Sequence, residues 1–248
     1  MGQLKRSLPF EPVGHWFSQP ACASGLTFRA CTFHVYGVYI ACVQRIRMSR
    51  STNNARAKPS TAASILVAAR QLLDKEGLAA VAMRSVSERV GITPMAIYRH
   101  YADRATLLNA VADEGFHELA TRVQALQYAG GMEHRLMQVV DVFLNAALQF
   151  PNLYKLMFLV PREGARVYPR DFKAGRSPTF NPTVTILKEA MTAGELRPDD
   201  PIEIAFELSA LSHGLIVLYL GGRVHQSEKQ FRTLYQRSFR RYLDGLRP

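Results

Sequence analysis

The side chains best suited to chemistry lie together between Thr93 and Tyr101, in the run Thr-Pro-Met-Ala-Ile-Tyr-Arg-His-Tyr. A thioether, a phenol, a guanidinium and an imidazole follow one another there within about two helical turns. Groups of this kind serve recognition. On a short helix lodged in the major groove of DNA, the leading residues reach base edges while hydroxyls and cations around them hold phosphates. Nothing in the 248 residues offers catalysis instead: there is no glycine-rich phosphate loop, nucleophile elbow, HExxH zinc motif or pair of carboxylates with an evident task. No catalytic residue, cofactor or metal ligand is therefore assigned.

The neighbouring sequence supplies the elements that must hold this run. Thr93 caps a helix whose first residue, Pro94, loses nothing by lacking an N–H, and the helix turns Ile97 inward and Met95, Tyr98 and Arg99 outward. Before it, Met83 to Val90 reads as a helix with Val86 and Val90 four apart and small Ser87 where two helices approach. Gly91 follows, able to take the left-handed conformation of a sharp turn, and Ile92 buries the corner. A first helix, Thr61 to Glu76, carries the stripe Ile65, Ala68, Ala69, Leu72 and Leu73, with Ser60 or Thr61 as its cap and Gly77 closing it. Asp103 caps a fourth helix with the stripe Leu107, Leu108, Val111, Phe116, Leu119, Val123 and Leu126.

Residues 61 to 111 resemble the DNA-binding domain of the tetracycline-repressor (TetR) family. The likeness rests on the Gly91 turn, the element Tyr98-Arg99-His100-Tyr101, and the acidic-basic pair Asp103-Arg104 opening the fourth helix. The family more often has phenylalanine at the position of Tyr101 and lysine at that of Arg104. The resemblance implies that Thr93, Met95, Tyr98 and Arg99 meet the groove, Arg99 as the direct base reader, and that Tyr98, His100, Ser85 and Arg104 hold phosphates, with Arg84 in the same DNA-binding set. Arg104 stands at a helix N-terminus, where a cation is unfavourable, and an external anion would give a reason for it. Tyr98 and Tyr101 have plain packing as the other reading, and His100 a hydrogen-bonded support of the fourth helix.

The remaining chain reads as helical, so the expected class is all-α: an N-terminal helix-turn-helix domain, 61–108, and a larger helical ligand-binding and dimerisation domain, 109–248. Met132 to Gln149 is amphipathic, Pro151 ends it, and Asn152 is expected to cap a following apolar helix stopped by Pro161. The stretch from Pro161 to Pro178 is too rich in proline, glycine and arginine to be regular. Another helix spans about 181–193. The last two, about 201–220 and 227–246, are separated by Gly221-Gly222, and the first of them is apolar nearly all round, which points to a subunit interface. In the family these helices pair with those of a second chain, which implies a homodimer on a double-stranded operator built as an inverted repeat.

A small hydrophobic or aromatic effector, implied likewise, would shift the spacing of the reading heads and release the DNA. Phe143, Tyr154, Met157, Phe158, Phe206 and His213 are candidates to line its pocket, as large apolar groups with a few polar tips. Each could equally be ordinary core, and His213 a satisfied core histidine. His213-Gly214 is also similar to a variety of the family with a tryptophan shortly before such a pair; none stands there.

The formal charge of +11 is uneven. Residues 1–60 hold eight Lys/Arg and one acid, against seventeen and fifteen in 111–248, which suits a basic flank near phosphates. Residues 1–47 contain all three cysteines (Cys22, Cys31, Cys42), the single tryptophan and no helical period. They read as a disordered or mis-assigned extension, with Met48 as the natural start and 48–60 as a basic arm in which Arg50, Arg56 and Lys58 could reach the minor groove. The apolar stretch Cys31 to Val43 is too short to span a bilayer, no membrane association is expected, and a cysteine-free body suits the cytoplasm. Two other readings are a small-molecule carrier or enzyme with an accessory helix-turn-helix, which turnover without DNA binding would favour, and a sequence-independent DNA-compacting protein.

Overall fold

A computed structural model of the chain describes residues 60–248 together with the backbone of 31–35 and 38–42, and divides into units of residues 1–57 and 58–248. In the first unit, β1 (Cys31–Val35) and β2 (Val38–Cys42) pair antiparallel, with Cys31 opposite Cys42 and Phe33 opposite Ile40. Strand side chains alternate with period two, so such a ladder leaves no helical period in the sequence. Cys22, Met48 and the arm residues Arg50, Arg56 and Lys58 lie outside the described residues.

The second unit is all-α, as expected. α1 (Thr61–Glu76) buries the five residues of its stripe, is capped by the Ser60 hydroxyl accepting from the Ala63 N–H at 3.2 Å, and ends at Gly77 with φ 86°. One 3₁₀ turn, Leu78–Ala80, leads to α2 (Met83–Val90), and Gly91 adopts the left-handed conformation at φ 77° and ψ 34°. α3 (Pro94–Tyr98) and α4 (Arg104–Gln124) begin under the Thr93 and Asp103 caps. α4 runs without interruption across position 108, so one rigid rod belongs to both the reading head and the body.

The body adds α5 (Met132–Gln149), α6 (Pro151–Phe158), α7 (Arg170–Lys173), α8 (Asn181–Thr192), α9 (Pro201–Leu220) and α10 (Glu228–Asp244). Two departures from the sequence reading matter. Asn152 does not cap its own helix, whose start is closed by Phe150 and Pro151; its amide donates instead to the Leu73 and Asp74 carbonyls at the end of α1, at 3.0 and 3.4 Å. The segment after Pro161 is not wholly irregular, because it folds through α7 around Asp171, a buried carboxylate that accepts from the Val167 N–H and from Arg170 and Arg176. Those partners hold its carboxyl well below the usual carboxylate range, the Arg170 hydrogen bond contributing most.

Apolar residues gather in two cores. One joins α1, α2, α3 and α4 and takes Leu153, Leu156 and Met157 from α6; the other joins α5, α8, α9 and α10 and takes Tyr154. Phe143 and Phe158 pack against both. α9 is long and apolar enough to cross a membrane by length and composition, but its Ile204, Ala205, Leu208 and Ile216 are committed to the second core and Ser212 is buried beside them.

Candidate nucleic-acid interface and ligand cavity

α3 is held from beneath by Ile97, which is fully buried, and from its start by the Thr93 hydroxyl accepting from the Ala96 N–H at 3.3 Å. That leaves one outward face. Met95 is 70% exposed and Tyr98 49%, and Thr93, Arg99 and His100 are exposed beside them. Arg99 has no intramolecular salt bridge among the described residues, so its guanidinium is available. Arg84 is exposed on α2 and pairs with Glu88 at 2.9 Å, while Ser85 is half-buried. Tyr101 packs, as its second reading had it: the hydroxyl donates to the Ala62 carbonyl at 3.4 Å, and burial raises its pKa. The His100 side chain makes no hydrogen bond among the described contacts, which leaves the supporting role without a partner.

Arg104 has a task inside the protein. Its Nε donates to the Val81 carbonyl and an Nη to the Leu78 carbonyl, each at 2.6 Å. These tie the 3₁₀ turn to the start of α4. A cation at this helix N-terminus is thus explained by two charge-assisted bonds to backbone oxygens, without an external anion.

Behind the reading head lies a cavity of about 500 Å³. Phe143, Met157, Phe158, Phe206 and His213 line it, five of the six residues named from the sequence. Tyr154 does not; it stands one layer behind, its hydroxyl 2.5 Å from His213 Nδ1. Burial pushes the His213 imidazole down to about 4 and the Tyr154 phenol well above its ordinary value, so both are neutral. The phenol has no other partner among the described residues, and the direction of this bond follows the tautomer of the neutral His213 ring. The wall is extended by residues the sequence did not single out for a pocket, among them Phe116 on the apolar stripe of α4, Thr179 and Phe180 before α8, Ser209 on α9, and Arg162, Arg166 and Phe172 from the segment after Pro161. No cluster of three side chains able to hold a metal occurs among the described residues.

α6 joins cavity to head. Phe158 faces the cavity with its ring tilted against that of His213, centroids 4.5 Å apart, while Leu153, Leu156 and Met157 fill the core under α1 and α4. The close approach of α6 to α4 depends on Gly115, where a Cβ would fall 2.7 Å from Met157 Sδ and 3.1 Å from the Leu153 methyls. Arg70 of α1 adds a further tie, bonded to Glu118 of α4 at 3.3 Å and lying 5.0 Å over the Phe150 ring that ends α5. Gly115 does carry a sequence signal, since glycine inside a helix costs about 1 kcal/mol relative to alanine and asks for a packing reason.

Two family models match the chain: bacterial regulatory proteins of the tetR family over residues 65–111, and the tetracyclin repressor-like C-terminal domain over residues 136–246. No curated protein matches. Among solved structures, a protein with unknown function from Rhodococcus sp. RHA1 is 24% identical with a TM-score of 0.65, covering 79% of this chain and 100% of that one. A TetR variant from Acinetobacter baumannii AYE in complex with minocycline is 18% identical, with a TM-score of 0.55 and coverage of 76% and 96%. BioQ with its double-stranded DNA operator is 22% identical, with a TM-score of 0.51 and coverage of 75% and 98%. At these identities the likeness is one of fold.

Proposed function

The chain belongs to the TetR family of bacterial transcriptional regulators, and from that membership we propose a homodimeric repressor that leaves an inverted-repeat operator when a small hydrophobic or aromatic molecule fills the cavity. The observation that carries this reading is the double duty of α6, whose Phe158 lines the cavity while Leu153, Leu156 and Met157 belong to the core of the reading head. A molecule that displaces Phe158 must move residues on which α1 and α4 rest. Because ligand and operator then favour different placements of the same helix, each weakens the other. The fold relatives include one solved with a small molecule and one with operator DNA, which supports both halves of the reading.

Thr93, Met95, Tyr98 and Arg99 read the groove, with Arg99 as the base reader, and Ser85, Arg84 and His100 meet phosphates. Arg104 acts through the turn it ties. α9 supplies the subunit interface together with α10: Ala210, Gly214 and Leu218 form an exposed stripe along α9, and no atom lies within 4 Å of a Cβ built on Gly214. A second α9 can approach closely there, as a twofold bundle requires. Such a regulator works in the cytoplasm. Selection of bound duplexes from a random pool by the full chain, at one stated salt concentration, tests the reading. Recovery of an inverted repeat with half-sites about one helical turn apart is expected; recovery of the pool without sequence preference would overturn it.

A further inference from the structure

The cavity has a charge character that its apolar lining conceals. Its wall contains two guanidiniums, Arg162 and Arg166, three hydroxyls from Ser177, Thr179 and Ser209, the neutral His213 imidazole, and no carboxylate. The Arg162 side chain is only 9% exposed, and its Nε is buried without a partner. Its one ion pair among the described residues, Nη1 to Asp113 Oδ1 at 2.9 Å, reaches a carboxylate that is 69% exposed. Arg166 donates its Nε to the Arg176 carbonyl at 2.7 Å, a bond that leaves its charge unbalanced. Both guanidiniums gather over the Phe116 ring, at 5.0 and 5.7 Å from its centroid. Two like charges have been brought together at one end of an apolar chamber, and among the described residues Asp113 is the one carboxylate paired with either of them.

We propose that the effector is an amphipathic monoanion, a carboxylic acid with an aromatic or compact apolar body, its carboxylate held by Arg162 and Arg166 at the Phe116 end and its body lying among Phe143, Phe158, Phe172 and Phe206. The inference rests on the cavity being an effector site. One acid matches the charge: two guanidiniums less Asp113 leave one positive charge to be neutralised, whereas a dianion would overshoot and an amine would add a third cation to the pair. Arg162 and Arg166 present guanidiniums to the chamber, and a carboxylate is the acceptor that suits a guanidinium fork. The neutral imidazole and hydroxyls place no further charge on the body.

Isothermal titration of the full chain with 4-phenylbutyrate, 4-phenylbutanamide and 4-phenylbutylamine, and with naphthalene-2-carboxylate, its amide and its aminomethyl analogue, separates charge from shape. Each acid is expected to bind at least about tenfold tighter than its amide, as one charge-assisted bond implies, with the amine weakest. Arg162→Met should abolish the preference for the acid. Asp113→Asn, at an exposed position, should instead tighten the acid severalfold and leave the amide unchanged, because it frees a guanidinium N–H that the carboxylate now competes for. Equal binding of acid and amide, preference for the amine, silence from every probe, or an acid affinity that Asp113→Asn weakens would each overturn the assignment. Binding of amides or amines alone sinks the anion and keeps the effector site. Binding of the acid without loss of the selected operator duplex keeps the anion and sinks the sensing role.

Discussion

Gly115→Ala puts a methyl group into the α4–α6 contact, and its cost follows from what that methyl meets. Alanine inside a helix gains about 1 kcal/mol over glycine. Against this, the new carbon would lie 2.7 Å from Met157 Sδ and 3.1 Å from both Leu153 methyls, and overpacking of this kind costs about 1–3 kcal/mol. The expected net loss is about 1 kcal/mol. Met157→Ala alone should cost about 2–5 kcal/mol as a large-to-small change in a buried core. In that background the nearest obstacle is gone, so Gly115→Ala becomes neutral or stabilising, and the two changes couple by about 1–2 kcal/mol in the favourable direction. Urea denaturation of the four proteins, at one fixed chain concentration because dimers unfold with concentration dependence, reads the cycle. Additivity within about 0.5 kcal/mol would refute the claim that Gly115 exists to admit α6.

Arg104→Ala should lower the melting temperature of the protein while leaving the salt dependence of DNA affinity unchanged, because both of its observed donors serve the Val81 and Leu78 carbonyls; a salt slope reduced by about one would show that it neutralises a phosphate. Asn152→Ala should cost about 1–2 kcal/mol in denaturant titration through the lost bonds to α1, and a change within about 0.3 kcal/mol would mean those bonds are idle. His213 makes stability pH-dependent. Its folded pKa of about 4 lies below the ordinary histidine value near 6.5, so the unfolded chain binds more protons between them; the contribution is fully present above about pH 6.5 and lost as pH falls toward 4, up to about 3 kcal/mol. His213→Gln should flatten that part of the stability profile, and an unchanged profile would contradict the burial of a neutral ring.

The head was legible in the sequence because its signals are local. Gly91 must turn, Thr93 and Asp103 must cap, and the α1 stripe repeats at helical spacing, so each could be read within a few neighbouring residues. The cavity was half legible. Phe143, Met157, Phe158, Phe206 and His213 sit on strongly apolar helices, but periodicity does not say which of their residues surround a space and which, like Tyr154, stand behind one. The rest is tertiary. Arg104 finds its partners 23 and 26 positions away and Asn152 its own 78 and 79 away, whereas the sequence suggested a phosphate for the first and the start of its own helix for the second. Arg162 and Arg166 lie in a segment whose composition announced irregularity and nothing of the α7 turn around Asp171 that positions it.

The claim that α3 reads sequence through Arg99 is tested most directly by one comparison: the affinities of the full chain and of Arg99→Ala for the selected operator, for duplexes changed at each single base pair, and for random DNA, all at the same salt. A loss of about 1–3 kcal/mol on the operator is expected, with discrimination abolished at one symmetry-related position and random-DNA affinity little changed. An equal loss on operator and random DNA, with discrimination intact everywhere, would contradict the account.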